Sequence, residues 1–387
     1  MIRIFCLRAG EDLGMGMEQR VNQAIDAALA EGRITGTVVM VYRDGKPLVR
    51  RAAGFADREA GKPVAFDTIF RLASVTKPIV AATALVMVER GLIGLADPVA
   101  MHLPWFRPKT PDGEVAEITL HHLLTHTSGL TYDTAIELLP EDRRITVGLS
   151  DTDLDHEANF SRHNDVPLAF EPGSQWAYSF ATDILGAVIA RVHGATLEEA
   201  VVEHVAGPLG MKDTRFHVTD AARLAVPYAD ADPLPVRMPD PWMGADDSGW
   251  TLSFSPGRIF NPKAFQSGGA GAVGTAGDIL TFLEALRTGG KGVLKLDTVL
   301  AGFANQIGEL AGEIPGVKFG YFGAVVEDRR LALTPQSAGT VRWGGVYGHN
   351  WFIDPVEGLT VLSMTNNALE GCMGEFPHHI VDAVYGV

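Results

Sequence analysis

The stretch Phe70-Arg71-Leu72-Ala73-Ser74-Val75-Thr76-Lys77-Pro78 runs straight into an apolar segment, Ile79 to Val88. The apolar segment reads as a buried helix, and Pro78 is tolerated because it falls in the first turn. Helical spacing puts positions i and i+3 on one face, so Ser74 and Lys77 point the same way. A neutral amine beside a serine hydroxyl can take its proton, and burial favours the neutral form of an amine. Amides of a helix's first turn add positive potential where an oxyanion forms. The plain alternative is a helix-capping serine followed by a solvated lysine.

Composition narrows the field around this tetrad. The chain has 387 residues, enough for one large or two intimate domains. Hydrophobic residues make up 46% and charged residues 20%, a globular balance. The formal charge of -15 excludes a phosphate-binding surface built of clustered Lys and Arg, so no nucleic-acid partner is expected. No apolar run reaches the length of a membrane span. The opening Met1 to Gly16 has scattered charges and no signal-like apolar core, and it reads as a disordered tail. Cys6 and Cys372 are the only cysteines. One distant pair is no disulfide framework, and a reducing cytoplasm is the expectation.

Organisation follows from periodicity. Val21, Ala24, Ile25, Ala28 and Leu29 predict an amphipathic helix over 17–31. Strands near Val38–Tyr42 and Pro47–Ala53 flank an Asp44-Gly45 turn, a hairpin signal. Helices are expected near Leu120–Thr125, Thr182–His193 and Leu197–Val205, with a long loop from Thr219 to Pro262. Late strands are expected at Phe319–Glu327, Val341–Gly344, Trp351–Asp354 and Leu359–Thr365, then a helix over Glu375–Tyr385. The fold class is therefore α+β: an antiparallel sheet built from both ends of the chain and flanked by helices. Residues 1–100 and 265–387 form the α/β sandwich, and 101–264 a mainly helical inserted lobe.

Two further segments can complete a Ser–Lys site. Phe170 to Ser179 places Tyr178 on a turn before a helix, where a hydroxyl near an ammonium can act as a base. Tyr178 is otherwise a core aromatic. Val341-Arg342-Trp343-Gly344-Gly345-Val346-Tyr347-Gly348 puts two glycines on a strand, which lets a substrate approach the backbone. An edge strand there presents an N–H to an acyl oxygen; a glycine bulge is the plain reading.

Together these segments resemble the serine β-lactamase and penicillin-binding-protein superfamily, with its S-x-x-K tetrad, a tyrosine or serine third member and a Lys-Thr-Gly-like strand. The stretches His121 to Leu130, Pro208 to Thr214 and Gly268 to Asp278 are similar too, and the resemblance covers roughly 18–387. The order matches the class C branch, with two departures. Its Tyr-x-Asn is Tyr178-Ser179-Phe180 here. Its Lys-Thr-Gly is Trp343-Gly344-Gly345, which removes a charge-assisted contact to a substrate carboxylate. Both changes favour an uncharged substrate, and the pattern resembles the family VIII carboxylesterases.

The resemblance implies a two-step acyl transfer on small neutral esters. Ser74 is the nucleophile, and Lys77 and Tyr178 are the proton-transfer pair. The backbone N–H groups of Ser74 and Val346 form the oxyanion hole. Tyr132, Trp343, Gly344 and Gly345 are the substrate-binding candidates, with Tyr132 equally readable as core. No cofactor and no metal is implied. A β-lactamase or D-amino-acid peptidase, and an acyltransferase or amide hydrolase, use the same scaffold. A catalytically dead ligand-binding module is the alternative from another class.

Gly269 to Gly274 matches G-x-G-x-x-G but lacks a clear preceding strand, so it reads as a turn before a helix. No Gly-x-Ser-x-Gly occurs. His122 and His126 lack the glutamate of a zincin motif, and His349 reads as structural. Oligomeric state is left open, since no coiled-coil repeat appears.

Overall fold

The computed structural model of the protein describes residues 16–133, 139–245 and 251–387. Cys6 and the expected N-terminal tail up to Met15 lie outside the described residues. Helix α1 (Met17–Ala30) buries Val21, Ile25 and Ala28, a three-to-four spacing that keeps them on one face. β1 (Gly36–Arg43) and β2 (Lys46–Asp57) form the expected hairpin. Asp44 and Gly45 both adopt positive φ, +50° and +76°, as a tight two-residue turn requires.

β3 (Lys62–Pro63) and β4 (Ile69–Arg71) lead to a single 3-10 turn, Ala73–Val75, and then to α2 (Thr76–Glu89). Every residue of α2 from Thr76 to Met87 is buried. A helix apolar on all sides belongs in the centre of a core, and this is what carries Lys77 out of solvent. α3 (Leu120–Thr125) and α4 (Ala181–His193) follow in the mainly helical middle of the chain, where α4 packs on both α2 and α3.

The middle ends in two short hairpins, β5 (Tyr228–Ala229) with β6 (Val236–Arg237) and β7 (Trp242–Ala245) with β8 (Thr251–Phe254). The segment read as one long loop from Thr219 to Pro262 is thus locally ordered. Its strands are only two to four residues long, too short for an alternating pattern to register. β9 (Val273–Thr275) pairs with β4 and opens into α5 (Ala276–Arg287). The remaining strands are β10 (Val317–Phe319), β11 (Ala324–Val326), β12 (Val341–Gly345), β13 (His349–Asp354) and β14 (Leu359–Thr365), and α6 (Glu375–Tyr385) closes the chain.

These strands form an eight-stranded antiparallel sheet in the order β10-β11-β12-β13-β14-β1-β2-β3. β1 lies between β2 and β14, with Thr37 opposite Thr365 and Arg43 opposite Leu359. Its side chains alternate between two cores. Val39 and Val41 pack with residues of α1 and α6 on one face, while Val38 and Met40 join the larger core that holds α2 and α5 on the other. Burial on both faces explains why β1 reads as a continuous apolar run.

Three expected elements differ. Phe319–Glu327 is not one strand: β10 and β11 pair with each other around Gly320–Gly323. The helix expected over Leu197–Val205 runs from Leu197 to Val201 and continues as a wider π turn, Val202–Ala206. β12 is an interior strand, not an edge. Its neighbour β11 pairs only with Val341 and Arg342, so Trp343 to Gly345 extend past it with one side unpaired. The exposed strand end foreseen from the sequence exists, made by a short neighbour. Among the described residues no helix is long and apolar enough to cross a membrane.

Candidate active site

Ser74 sits in the 3-10 turn immediately before α2. Ala73, just before it, has a φ of +45°, a left-handed conformation that non-glycine residues seldom adopt. Strain of this kind persists only when the surroundings impose it, and it clusters at functional positions. The surroundings here are β9, whose neighbour Ala272 accepts from the Leu72 N–H at 2.9 Å, and His349, whose Nε2 lies 2.7 Å from the Arg71 carbonyl.

Lys77 is 6% exposed and lies one helical turn on from Ser74. Its Nζ donates to Ser74 Oγ at 3.2 Å, to Tyr132 Oη at 3.2 Å and to the Gly269 carbonyl at 2.9 Å. All three acceptors are neutral. Tyr178 donates to Ser74 Oγ at 2.7 Å, and the Lys77 ammonium lies 4.7 Å from the centre of the Tyr178 ring. Ser74, Lys77 and Tyr178 are thus brought together although 104 residues separate the outer two.

Two supports of this triad were not foreseen. His126 ends α3 in a left-handed conformation, φ +56°, and its carbonyl accepts from Ala177 N–H at 3.0 Å. Its Nδ1 meets Ser179 Oγ at 3.1 Å, so the loop around His126 grips the residues on both sides of Tyr178. Burial, with the Lys77 charge adding to it, holds the His126 imidazole well below its ordinary value. Asp183, buried in the first turn of α4, accepts from Ser267 Oγ and from Gly269 N–H at 3.2 Å. The carbonyl of that same Gly269 holds Lys77. The G-x-G-x-x-G match is therefore part of the site, through a backbone carbonyl that no residue-type signal could reveal. Its last glycine lies within β9, so the turn is followed by a short strand before α5.

The glycine strand lies against the nucleophile. A side chain added at Gly345 would meet the Leu72 carbonyl at 2.4 Å and the Ser74 amide nitrogen at 3.4 Å. Trp343, two residues earlier on the same strand face, points its indole N–H at Tyr178 Oη, 3.4 Å away, with ring centres 4.9 Å apart. Gly344 faces the other way, toward Cys372 Sγ, and is not brought to Ser74. Tyr132 touches both Lys77 and the Tyr178 ring, 5.5 Å between centres. Val346 continues past the strand and packs in one apolar cluster with Ala73 and Tyr347. Among the described residues neither the Ser74 nor the Val346 N–H has a backbone acceptor. A small cavity of about 10 Å³ behind Lys77 is walled by Leu124, His126, Phe319, Tyr321 and Trp343.

We expect Gly345→Ala to disable the site more than the fold. The clash with Leu72 costs about 1–3 kcal/mol if the strand shifts, and the shift moves the strand relative to Ser74. Turnover falling at least tenfold with a melting loss of only a few degrees is the expected outcome; unchanged turnover contradicts the close approach.

The histidines go to different partners. His121 Nδ1 lies 3.1 Å from Tyr321 Oη, and His122 caps α3 through the Thr119 N–H. They do not converge with His126 on a metal position. Among the described residues His193, Glu203 and His204 lie close enough to share a cation. The Arg90 guanidinium already fills that role, 2.9 Å from His204 and 3.6 Å from Glu203.

Burial pulls the imidazoles of His163 and His349 down to about 4. Each stays neutral in the fold but takes a proton in the unfolded chain below about 6.5. The unfolded state then binds more protons, so stability falls as pH drops from about 6.5 to 4 and levels off beneath. Each histidine accounts for about 3 kcal/mol over that window. Partial desolvation and the Glu370 charge push Asp230 up to about 7, which opposes the trend, and the solvent on its outer side weakens that opposition without removing it. Thermal melts at pH 7, 5.5 and 4.5 should show a steady fall, steeper in Asp230→Asn; a flat profile in both contradicts the neutral burial of these rings.

The sequence profile of the Beta-lactamase family matches residues 21–375. The chain belongs to that family. It is 47% identical to Esterase EstB of Burkholderia gladioli over 376 residues, covering 95% of this chain and 94% of that protein. The solved structure of EstCE1, described as a hydrolase with promiscuous acyltransferase activity, superposes with a TM-score of 0.90 at 40% identity, covering 96% of this chain and 98% of that one. Simvastatin synthase (LovD) from Aspergillus terreus shares the fold, with a TM-score of 0.73 at 22% identity over 96% of this chain and 98% of its own. The family VIII reading and the β-lactamase-like α+β fold both stand, and the chain is a serine hydrolase of this family.

Proposed function

We propose that the protein is a carboxylesterase that works through an acyl-Ser74 intermediate on small esters. The observation that carries this is the 2.7 Å contact between Tyr178 Oη and Ser74 Oγ, with Lys77 Nζ 3.2 Å from the same oxygen. Hydroxyls exchange donor and acceptor roles by rotation, so Ser74 can pass its proton to this pair as its oxygen attacks the ester carbonyl. The carbonyl oxygen becomes an oxyanion between the Ser74 and Val346 N–H groups. Collapse breaks the C–O bond, and the departing alkoxide takes a proton back from the Lys77–Tyr178 pair. Water then repeats the sequence on the acyl-serine and releases the acid.

Ester preference over β-lactams rests on Trp343, whose indole stands where the family's strand carries a cation. The 47% identity to an esterase supports the same reading. In this reading 101–264 acts as a lobe laid on the 1–100 and 265–387 sandwich, with Ser74 at their junction and Tyr178 supplied by the lobe. EstCE1's acyltransferase activity supports a second outcome, in which an alcohol or amine replaces water in the second step.

A matched assay decides. Turnover of p-nitrophenyl acetate and butyrate far above that of nitrocefin is expected. Dominant nitrocefin turnover would mean that Trp343 and Phe180 do not exclude β-lactams and that the chain is a β-lactamase.

A further inference from the structure

A cleft of about 40 Å³, open to solvent, is lined by Arg71, Arg258, Tyr347, Ser255, Leu149 and Ala270. That is room for a few water-sized groups, the size of a carboxylate. Two guanidiniums face it. Arg258 is 8% exposed, and Arg71 is partly open toward the cleft. Arg71 donates from Nε to the Pro256 carbonyl and from Nη1 to the Ala225 carbonyl, both at 3.0 Å. Arg258 donates to the carbonyls of Ser150, at 2.9 Å, and Phe265, at 2.5 Å. Every acceptor is a neutral backbone oxygen, and among the described residues neither arginine makes an ion pair. Asp240 acts on Arg71, and Asp183 and Asp151 on Arg258, only at longer range. Two desolvated positive charges without a touching carboxylate are costly unless something else supplies the negative charge. The Tyr347 hydroxyl, kept protonated by burial, adds a donor with no hydrogen bond among the described residues.

The cleft adjoins the nucleophile. Ala270 and Tyr347 line it and also pack in one cluster with Ala73 and Val346. Arg71 precedes Ser74 by three residues, so their Cα atoms lie within about 10 Å. We propose that this cleft is a carboxylate-binding subsite, and that the protein hydrolyses esters bearing a second, free carboxylate, such as half-esters of short dicarboxylic acids. Paired guanidiniums match a carboxylate in charge and in geometry. In this proposal a short acyl chain joins a carboxylate held in the cleft to an ester carbonyl at Ser74. Trp343 removes a cation from the strand side of the nucleophile, and Arg71 and Arg258 provide one on the other side. The inference rests on the esterase reading of Ser74.

The experiment measures ethanol release from monoethyl glutarate and from ethyl valerate, its near-isosteric neutral counterpart, at low ionic strength. The wild type should favour the anionic ester at least tenfold in kcat/KM. That ratio should fall at least tenfold in Arg71→Gln and in Arg258→Gln, and Arg258→Lys should restore part of it, which separates lost charge from lost fold. Glutarate binding to Ser74→Ala, measured by calorimetry, reads the subsite without turnover and should vanish when Arg71→Gln is added. Hydrolysis of ethyl valerate with no anionic preference and no glutarate binding overturns the subsite and leaves the esterase standing. Glutarate binding in a protein that cleaves neither ester supports the subsite and refutes the esterase reading.

Discussion

Ser74→Ala will lower turnover of p-nitrophenyl butyrate by about a thousandfold or more, the scale set by removing the nucleophile from a serine hydrolase. The wild type, mixed with a slow ester or a fluorophosphonate, will gain the mass of one acyl or phosphonyl group on the peptide that carries Ser74. The variant will gain none. Lys77→Ala should cost nearly as much, and the double variant little more than either single one, because residues acting on one proton are not additive. The melting temperature should change little in Ser74→Ala, since only one hydroxyl with two side-chain partners is lost. Labelling that survives in Ser74→Ala would place the nucleophile elsewhere and remove the basis of the mechanism.

Tyr178→Phe isolates the second proton carrier. The phenyl ring still packs among Trp343, His126 and Tyr132, whose ring centres lie 4.9, 5.0 and 5.5 Å away. Only the hydroxyl that meets Ser74 Oγ at 2.7 Å is removed. A loss of about 10²–10⁴ in kcat is expected, the range for a general acid or base, with KM nearly unchanged. A variant that raises KM and leaves kcat intact would make Tyr178 a wall of the pocket and pass the whole proton transfer to Lys77.

Local signals made the central elements legible. The 3.6-residue period of α1, the Asp44-Gly45 turn and the apolar run after Pro78 each come from neighbouring residues, and each was found in place. Ser74 and Lys77 were readable because a single helix turn fixes their relation. Tyr178 was readable through resemblance, since nothing in its own segment says that its hydroxyl reaches a serine 104 residues away. What escaped depends on contacts between distant segments. The length of β11 decides whether Trp343 to Gly345 is paired, and that length is set by Gly320 and Gly323 turning the chain early. Gly344 and Gly345 look equivalent in sequence, yet strand alternation sends only Gly345 toward Ser74. Asp183 acts through the backbone of Gly269, so its place in the site follows from the turn it binds.

The position of β1 between β2 and β14 also governs when the site can exist. Thr37 and Thr365 are partners in the sheet although they stand 328 positions apart in the chain. Contacts of such span form late and slowly, because a large loop must close before any pairing rewards it. The Ser74 helix can be made early, but Gly345 meets it only once the far strands have docked. During refolding, helical signal should therefore recover first, and the ability of Ser74 to accept a covalent probe should appear last, in the same step that completes the sheet. A half-folded chain in which β12 has not yet docked should therefore hydrolyse no ester, which spares the cell an undiscriminating hydrolase during synthesis.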